Sequence, residues 1–291
     1  MLKGSIVAIV TPFDNQKIDE ARLKELIEFQ IANGTDGIVP CGTTGESATL
    51  THEEHHRVID LTIKVVNGRI PVIAGTGSNS TAESISLTKH AKAAGADGAL
   101  LITPYYNRPT QKGLIAHFKA VAEAVNIPMI IYNVPSRTGV NMLPESIAEL
   151  NSVPQIVGVK EASGSLQQIT ELITLCPRLN VLSGDDFIVM PIMSVGGKGV
   201  ISVVANVAPR LMADMVDAFE AGDFLRASGI QREAFPLCQA VFLETNPIPV
   251  KTSLALMGKI KGDLRLPLIG MSEGNLKKLK EILAKYKLIS G

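Results

Sequence analysis

Short apolar runs rich in β-branched residues recur eight times along this chain, and helix-period segments separate them. Such nearly continuous apolar runs are typical of parallel strands that helices cover on the outside. Eight strands with intervening helices in roughly 220 residues predict an α/β fold, the (β/α)8 TIM barrel. An open, doubly wound sheet is the alternative, because alternation alone does not decide closure. The predicted strands are residues 5–10, 37–40, 71–74, 99–103, 129–132, 156–160, 180–183 and 200–204.

The segments between the first strands show helical periodicity, over residues 20–32, 53–66, 81–94 and 112–125. A weak internal repeat supports the same alternation, since ANGTDGIV and AAGADGAL each place a glycine, Gly34 or Gly95, where a helix ends. Beyond residue 223 the strand runs stop, and helices are predicted over residues 226–241, 250–257 and 273–286. We therefore expect a barrel domain, 1–223, and a C-terminal helical domain, 224–291.

The charge of the chain is balanced, with 28 Lys and Arg residues against 28 Asp and Glu residues among 291. The basic excess of a nucleic-acid binder or a polybasic membrane binder is therefore missing. Hydrophobic residues make up 46%, which excludes a largely disordered chain. With a net charge of zero, solubility does not depend on self-repulsion, so a buried oligomer interface is expected.

Three widely spaced cysteines, Cys41, Cys176 and Cys238, form no CxxC motif. This usage argues against a disulfide scaffold or a zinc ribbon and suits a reducing compartment. The apolar run near the N-terminus is too short for a signal peptide, and no stretch is long enough to span a membrane. The sequence therefore predicts a soluble cytoplasmic protein.

Lys160 ends a strand that is otherwise apolar, and lysine is rarely buried without a partner. Strand alternation places Ile156, Gly158, Lys160 and Ala162 on one face. If that face is the barrel lumen, desolvation lowers the pKa of the amine and yields a nucleophile for Schiff-base chemistry. The alternative is a strand-end lysine that reaches solvent and pairs with Glu161.

Polar residues also follow other strands, at the barrel end where function is expected. The glycine-rich loop 42–47 (GTTGES) can present N–H groups and hydroxyls to a carboxylate or phosphate, unless it is a plain tight turn. Tyr132 ends the fifth strand and can relay protons, and Arg137 on the following flexible loop can bind a carboxylate. Tyr105 and Tyr106 follow the fourth strand; their alternative role is packing at the barrel mouth.

Two motifs that suggest a cofactor or a metal are weak. The GTGS run after the third strand lacks the third glycine and the acidic residue of a dinucleotide site, so no cofactor is predicted. The HEEHH run matches the zinc pattern HExxH, but Thr51, just before the run, and Glu54 within it form a capping box that predicts a helix start. A third ligand would have to come from elsewhere, so no metal is predicted.

Taken together, the motifs resemble the pyruvate-dependent class I aldolase/lyase family, and within it the dihydrodipicolinate synthases. The similarity covers essentially the whole chain, in the order GTTGES, AGTGSN, TPYYNRP, YNVPSRTG, GVKEASG, SGDD, GVISVVAN and NPIPVK. It implies a barrel with a C-terminal helical domain, assembled as a dimer of dimers, a homotetramer. The implied reaction condenses pyruvate with L-aspartate-4-semialdehyde through a lysine Schiff base to give 4-hydroxy-tetrahydrodipicolinate. That is the first committed step of lysine (diaminopimelate) biosynthesis.

The resemblance also implies roles for individual residues. Lys160 forms the imine with pyruvate, and Tyr132 shuttles protons. Thr43 and Thr44 hold the pyruvate carboxylate, and Thr43 links Tyr132 to Tyr106, which is lent across a tight dimer interface. The other implied substrate-binding residues are Arg137, for the semialdehyde carboxylate, Gly184 and the backbone of Ile201.

The resemblance further implies inhibition by L-lysine, the end product of the pathway. In lysine-sensitive relatives the inhibitor sits at the tight dimer interface, although some members of the family ignore lysine. The alternative is a polar interface rim. The matching positions in this chain are Ser47, Ala48, His52, His55, Asn79, Glu83 and Tyr105.

Other functions remain open within and beyond the family. N-acetylneuraminate lyases and keto-deoxy sugar-acid aldolases share the lysine and the tyrosine, but Arg137 and the Tyr105-Tyr106 pair favour the synthase. A non-catalytic sugar-acid-binding regulator on the same barrel would not need Lys160 and Tyr132. A metal-dependent aldolase is a third possibility, which chelator resistance would exclude.

Overall fold

The computed structural model describes residues 2–290, and its centre is an eight-stranded parallel sheet. The strands are β1 (Gly4–Ala8), β4 (Gly37–Val39), β5 (Ile73–Gly75), β6 (Gly98–Ile102), β7 (Met129–Asn133), β8 (Ile156–Glu161), β9 (Asn180–Ser183) and β10 (Gly199–Ser202). Each strand lies within two residues of the apolar run that predicts it. Their order in the sheet is β4-β1-β10-β9-β8-β7-β6-β5.

The sheet closes into a barrel between its two end strands. A parallel bridge joins Ile38 of β4 to Val72, just before β5, and the Ile38 N–H donates to the Pro71 carbonyl at 3.0 Å. Closure excludes the doubly wound alternative, because an open sheet leaves its two edges unpaired. A small antiparallel hairpin, β2 (Phe13–Asp14) and β3 (Lys17–Ile18), was not predicted.

The described residues form twelve α-helices, which surround the barrel and continue past its last strand into the C-terminal part of the chain. The long predicted helices are present with bounds within two residues of those expected. They are α1 (Glu20–Ala32), α2 (His52–Val66), α3 (Thr81–Ala94), α4 (Gln111–Ala124), α10 (Phe224–Ala240), α11 (Ile248–Leu256) and α12 (Glu273–Lys285). The helices whose bounds were not predicted are α5 (Pro135–Thr138), α6 (Pro144–Ala148), α7 (Leu166–Leu175), α8 (Val189–Ser194) and α9 (Pro209–Glu220).

The start of α2 shows why a helix begins there. The Thr51 hydroxyl accepts from the Glu54 N–H at 3.2 Å, and the Glu54 carboxylate accepts from the Thr51 N–H at 3.0 Å. This is the predicted capping box, which satisfies donors that a helix start leaves free. At the end of α3, Gly95 takes the left-handed conformation at φ 96°, also as predicted.

The hydrophobic core has an inner and an outer layer. Side chains such as Ile6, Leu100 and Ile130 fill the lumen, whereas a second layer lies between the strands and the helices. Leu237 of α10 and Leu254 of α11 belong to the same cluster as the outer face of β1. The C-terminal helices therefore share a continuous core with the barrel; the division after residue 223 stays a prediction.

One detail of β8 differs from the predicted alternation. Met129 pairs with Ile156 but the next residue, Ile130, pairs with Gly158, so β8 carries one extra residue at that point. Such a bulge reverses which face the preceding side chain takes. Ile156 accordingly packs in the outer layer, and its predicted place on the face of Lys160 is wrong.

Among residues 2–290, the helices are all too short or too polar to cross a membrane.

Candidate active site

A cavity of about 530 Å³ opens at the carboxyl ends of the barrel strands. This is the end of a (β/α)8 barrel where active sites are found. Its wall combines strand ends, the loops that follow them, and a C-terminal segment of residues 242–246 that reaches over the barrel mouth. The predicted residues that line it are Thr43, Thr44, Tyr132, Arg137, Lys160 and Gly184.

Lys160 faces this cavity from the end of β8. Its side chain is only 5% exposed, and Nζ lies 4.2 Å from the centroid of the Tyr132 ring. Burial lowers the pKa of the amine to about 8, and the negative charge of Asp186 opposes that shift. With this pKa about a fifth of the amine is neutral near physiological pH, far more than in an ordinary lysine, which makes it a competent nucleophile.

Glu161 does not pair with Lys160, which removes the alternative suggested by their adjacency. The Glu161 carboxylate lies on the other side of the strand, where it accepts from the Ser163 N–H at 2.7 Å and from the Asn133 amide at 3.1 Å. Burial raises the pKa of Glu161. Among the residues that the structure describes, none forms an ion pair with Lys160.

Gly184 stands where a side chain would displace the lysine. A Cβ at this position would lie 3.2 Å from Lys160 Cε and 2.8 Å from Ala162 Cβ. Both distances are shorter than ordinary van der Waals contact. Glycine at this strand end therefore leaves the space that the amine occupies.

Asp186 is an acidic residue that the sequence analysis missed. It is 1% exposed, and its Oδ2 accepts from the N–H groups of Val203 at 2.9 Å and Val204 at 3.1 Å. Burial raises its pKa, and the Lys160 ammonium opposes that. The signal that could have found it is the SGDD run, which places two carboxylates at the end of a strand.

Tyr132 is 7% exposed beside Lys160. Burial raises the pKa of its phenol to about 12, although the charge of Arg137 and a hydrogen bond with the Thr43 side chain both act to lower it. The phenol is therefore protonated at neutral pH and able to donate. This places Tyr132, Thr43 and Lys160 together around one end of the cavity.

Arg137 sits on the short helix α5 and not on a flexible loop, so that expectation is wrong. Its Nη2 donates to the backbone carbonyl of Asn246 at 3.1 Å. The Asn246 side-chain amide in turn donates to the Thr44 hydroxyl at 3.0 Å. Asn246 thus links two predicted substrate-binding residues. No local sequence pattern indicates these contacts, because Asn246 lies far from both residues along the chain.

Two predicted residues lie apart from this cavity. Tyr106 is 91% exposed, with a left-handed backbone at φ 71°, and does not line the cavity. Ile201 is fully buried in the lumen cluster and is not among the residues of the cavity wall.

A second cavity, of about 450 Å³, lies beside the first and shares Thr43, Tyr132, Arg137 and Asn246 with it. Six of the seven positions matched to the lysine site line it: Ser47, Ala48, His52, His55, Glu83 and Tyr105. The seventh, Asn79, does not; its backbone carbonyl accepts from the Asn107 amide at 2.9 Å.

The polar groups of the second cavity are already organised. His52 Nε2 lies 2.8 Å from Glu83, which also accepts from the Ser78 hydroxyl, and both contacts lower the pKa of Glu83. His55 Nε2 donates to the Gly75 carbonyl at 2.8 Å. Burial lowers the pKa of His55 to about 4, so this histidine is neutral at physiological pH.

The HExxH match does not form a converging pair of histidines. His52 turns to Glu83, whereas the His56 ring stacks on His90 with 3.8 Å between ring centroids. Residues 2–290 contain no group of three or more His, Cys, Asp or Glu side chains placed to hold a metal ion.

The fold and the cavity define an enzyme of the (β/α)8 class with a buried, unpaired lysine amine at the carboxyl end of a barrel strand. Residues 1–286 match the model of the dihydrodipicolinate synthetase family, and this chain belongs to that family. It is 63% identical to the 4-hydroxy-tetrahydrodipicolinate synthase of Syntrophus aciditrophicus, over 99% of this chain and 100% of that one. The family resemblance drawn from the motifs is confirmed.

Two solved structures carry ligands of interest. The chloride-inhibited dihydrodipicolinate synthase from Acinetobacter baumannii, complexed with pyruvate, has a TM-score of 0.97 and 46% identity, with 99% of this chain and 100% of that one covered. The enzyme from Cyanidioschyzon merolae with lysine bound has a TM-score of 0.96 and 38% identity, with 99% of each chain covered.

Proposed function

We propose that this chain condenses pyruvate with L-aspartate-4-semialdehyde to give 4-hydroxy-tetrahydrodipicolinate, the first committed step of lysine biosynthesis. The observation that carries the proposal is the buried Lys160 amine, facing the cavity beside Tyr132. Membership of the family and the curated name of the 63% identical relative support the same reaction.

The chemistry begins at Lys160. Its neutral amine attacks the pyruvate carbonyl carbon, and water leaves to give a protonated imine. The imine acts as an electron sink, so the pyruvate methyl group loses a proton and becomes an enamine carbon. That carbon attacks the aldehyde of the second substrate, whose own amine then displaces Lys160 and closes the ring. Each proton transfer needs a placed donor or acceptor, a role that we assign to Tyr132.

The other roles follow from position in the cavity. We assign the pyruvate carboxylate to Thr43 and Thr44, and the carboxylate of the semialdehyde to Arg137. A guanidinium that donates one bond to Asn246 keeps further N–H groups for a carboxylate. Gly184 keeps space for the imine. Ile201 receives no role in this assignment, because it does not line the cavity.

Tyr106 enters this scheme only through a second copy of the chain. Tyr106 is 91% exposed and does not line the cavity of its own chain, so we propose that it completes the relay from Thr43 and Tyr132 in a partner. Leu166 and Leu175, at the two ends of α7, are also exposed, at 41% and 43%, and mark a second surface that a partner could cover. These two surfaces support a homotetramer built as a dimer of dimers.

The experiment that tests the function is reductive trapping. Pyruvate and borohydride together should add one reduced adduct, and peptide mass spectrometry should place it on Lys160. An adduct on Lys251 or Lys198 would overturn the assignment. Turnover of L-aspartate-4-semialdehyde, measured beside N-acetylneuraminate and a keto-deoxy sugar acid, then separates the synthase from the related aldolases and from a non-catalytic regulator.

We also propose that L-lysine binds the second cavity and inhibits the enzyme. The cavity brings Glu83 to a position where it can pair with an ammonium, and Tyr105 to one where it can bond a carboxylate. The structure of a relative with lysine bound supports the binding of lysine. Calorimetry should show binding heat that Glu83→Gln removes; no heat and no inhibition at millimolar L-lysine would contradict the proposal.

The cytoplasmic location and the division into a barrel, 1–223, and a helical domain, 224–291, stay predictions. The three buried free cysteines support the reducing compartment.

A further inference from the structure

The loop of residues 42–50 faces both cavities at once. Thr43 and Thr44 line the first cavity, whereas Ser47 and Ala48 line the second. Glu46 lies between these pairs with a left-handed backbone at φ 53°. A residue with a side chain adopts this conformation only where surrounding contacts hold it, because the conformation is strained.

The contact that holds Glu46 comes from the C-terminal part of the chain. Lys251 Nζ, on α11, lies 2.5 Å from Glu46 Oε1, and the two side chains are 0% and 1% exposed. The other carboxylate oxygen of Glu46 accepts from the Arg265 N–H at 3.2 Å. Lys251 also lies 4.2 Å from the centroid of the Phe13 ring. The loop is therefore anchored at its centre by a buried ion pair.

A second bond from the same C-terminal segment acts on the same loop. The Asn246 amide donates to the hydroxyl of Thr44, at the cavity end of the loop. Asn246 and Lys251 are separated by the first turn of α11, which makes the segment 246–251 one unit. That unit fixes the loop at two points, one at the cavity and one behind it.

A buried ion pair is a costly way to stabilise a fold. Desolvation of both charges offsets most of their attraction, so apolar residues of the same volume often give equal stability. An ion pair does, however, specify one geometry where an apolar contact allows several. The geometry that this pair specifies is the turn at Glu46, which orients the hydroxyls of Thr43 and Thr44.

We propose that Lys251 is a positioning residue for the binding of pyruvate. Acting through Glu46, it holds the loop so that Thr43 and Thr44 present their hydroxyls to the pyruvate carboxylate; this rests on the proposed function. Lys251 does not touch the reacting atoms. Its loss should weaken the binding of pyruvate more than it slows the chemical steps.

The primary variant is Lys251→Met, which keeps the length of the side chain and removes its charge. We expect the KM for pyruvate to rise about tenfold or more while kcat falls less than about threefold, the pattern of lost binding. Glu46→Gln should also raise the KM for pyruvate. If Lys251→Met does not fold, the KM of Glu46→Gln tests the inference instead. Both are measured at saturating semialdehyde.

Two further variants separate positioning from stability. Ser253→Ala is the matched control: it removes a fully buried hydroxyl from the same helix, one that donates to the Pro249 carbonyl and not to the loop. Its KM should equal that of the wild type. The double variant Lys251→Met/Glu46→Leu should recover thermal stability but keep the raised KM.

A KM within about twofold of the wild type in both Lys251→Met and Glu46→Gln would overturn the inference, whatever their melting temperatures. Recovery of the wild-type KM in the double variant would overturn it as well. The proposed function fails separately, if the wild-type chain gives no borohydride adduct with pyruvate at Lys160.

Discussion

Lys160 and Lys251 are both buried, and each Nζ lies 4.2 Å from the centroid of an aromatic ring. Burial lowers the pKa of both amines. Lys160 faces a cavity without forming an ion pair, whereas Lys251 lies 2.5 Å from the carboxylate of Glu46. The same side chain can therefore be available as a nucleophile or held as a fixed cation, depending on whether a carboxylate is placed against it.

The largest expected difference between the two lysines is in catalysis. Lys160→Arg should reduce turnover by several orders of magnitude and abolish pyruvate trapping, because a guanidinium stays protonated and cannot form the imine. Lys251→Arg keeps the charge and should keep trapping at Lys160. Turnover and adduct mass of the two variants, measured in parallel, check this. A Lys160→Arg enzyme that kept its activity would contradict the expected difference between the two lysines in catalysis.

The two lysines should also differ in their effect on stability. Lys251→Met leaves Glu46 buried without its cation and should cost about 3–5 kcal/mol in the free energy of unfolding. Lys160→Met removes a desolvated amine that has no ion-pair partner, so it should leave stability equal or higher. Denaturant unfolding of both variants measures this. Equal losses in the free energy of unfolding would contradict the expected difference between the two lysines.

Arg137 extends the comparison of the two lysines, because its positive charge lowers the pKa of Lys160. Arg137→Ala removes charged hydrogen bonds to the semialdehyde carboxylate, worth about 1.5–3 kcal/mol, and should lower kcat/KM for that substrate accordingly. Pyruvate trapping at Lys160 should survive. Since the guanidinium also lowers the pKa of Lys160, that pKa should rise in the variant. Loss of trapping would contradict this division of roles.

The smallest expected effect is the pH dependence of trapping. With a Lys160 pKa of about 8, the neutral amine and hence the trapping rate should increase about tenfold between pH 7 and pH 9. In the folded state this pKa is below its unfolded value, so the unfolded chain binds more protons between the two values. Stability should therefore rise with pH from about 8 toward 10.5, and Lys160→Met should remove that slope. A rise of about a hundredfold over this range would place the pKa near its ordinary value and the amine in a wetter environment.

Much of the fold was accessible from the sequence because parallel strands covered on both faces appear as apolar runs. The hairpin β2–β3 was missed because strands of two residues carry no periodic pattern. The bulge at Ile156 was missed because register depends on the neighbouring strand, which alternation within one strand does not report.

The sequence also predicted some of the residues that line the cavity. Lys160 and Tyr132 stand at the ends of apolar strands, where a polar residue is conspicuous. Asn246 and Lys251 act on residues more than 200 positions away, at separations of 202 and 205. Both residues belong to the NPIPVK motif, but nothing local indicates what they contact, so only the folded chain reveals their partners.

The separation between Glu46 and Lys251 also sets an order of events during protein synthesis. At about 5–20 residues per second, roughly 10–40 seconds pass between translation of the loop and translation of its anchor. Through that interval the strands that surround the lumen can pair, while the buried carboxylate has no cation to meet. The loop can therefore reach its anchored form only after residue 251 has been made, and a nascent chain that ends before residue 246 has neither of the two contacts that the C-terminal segment makes with it.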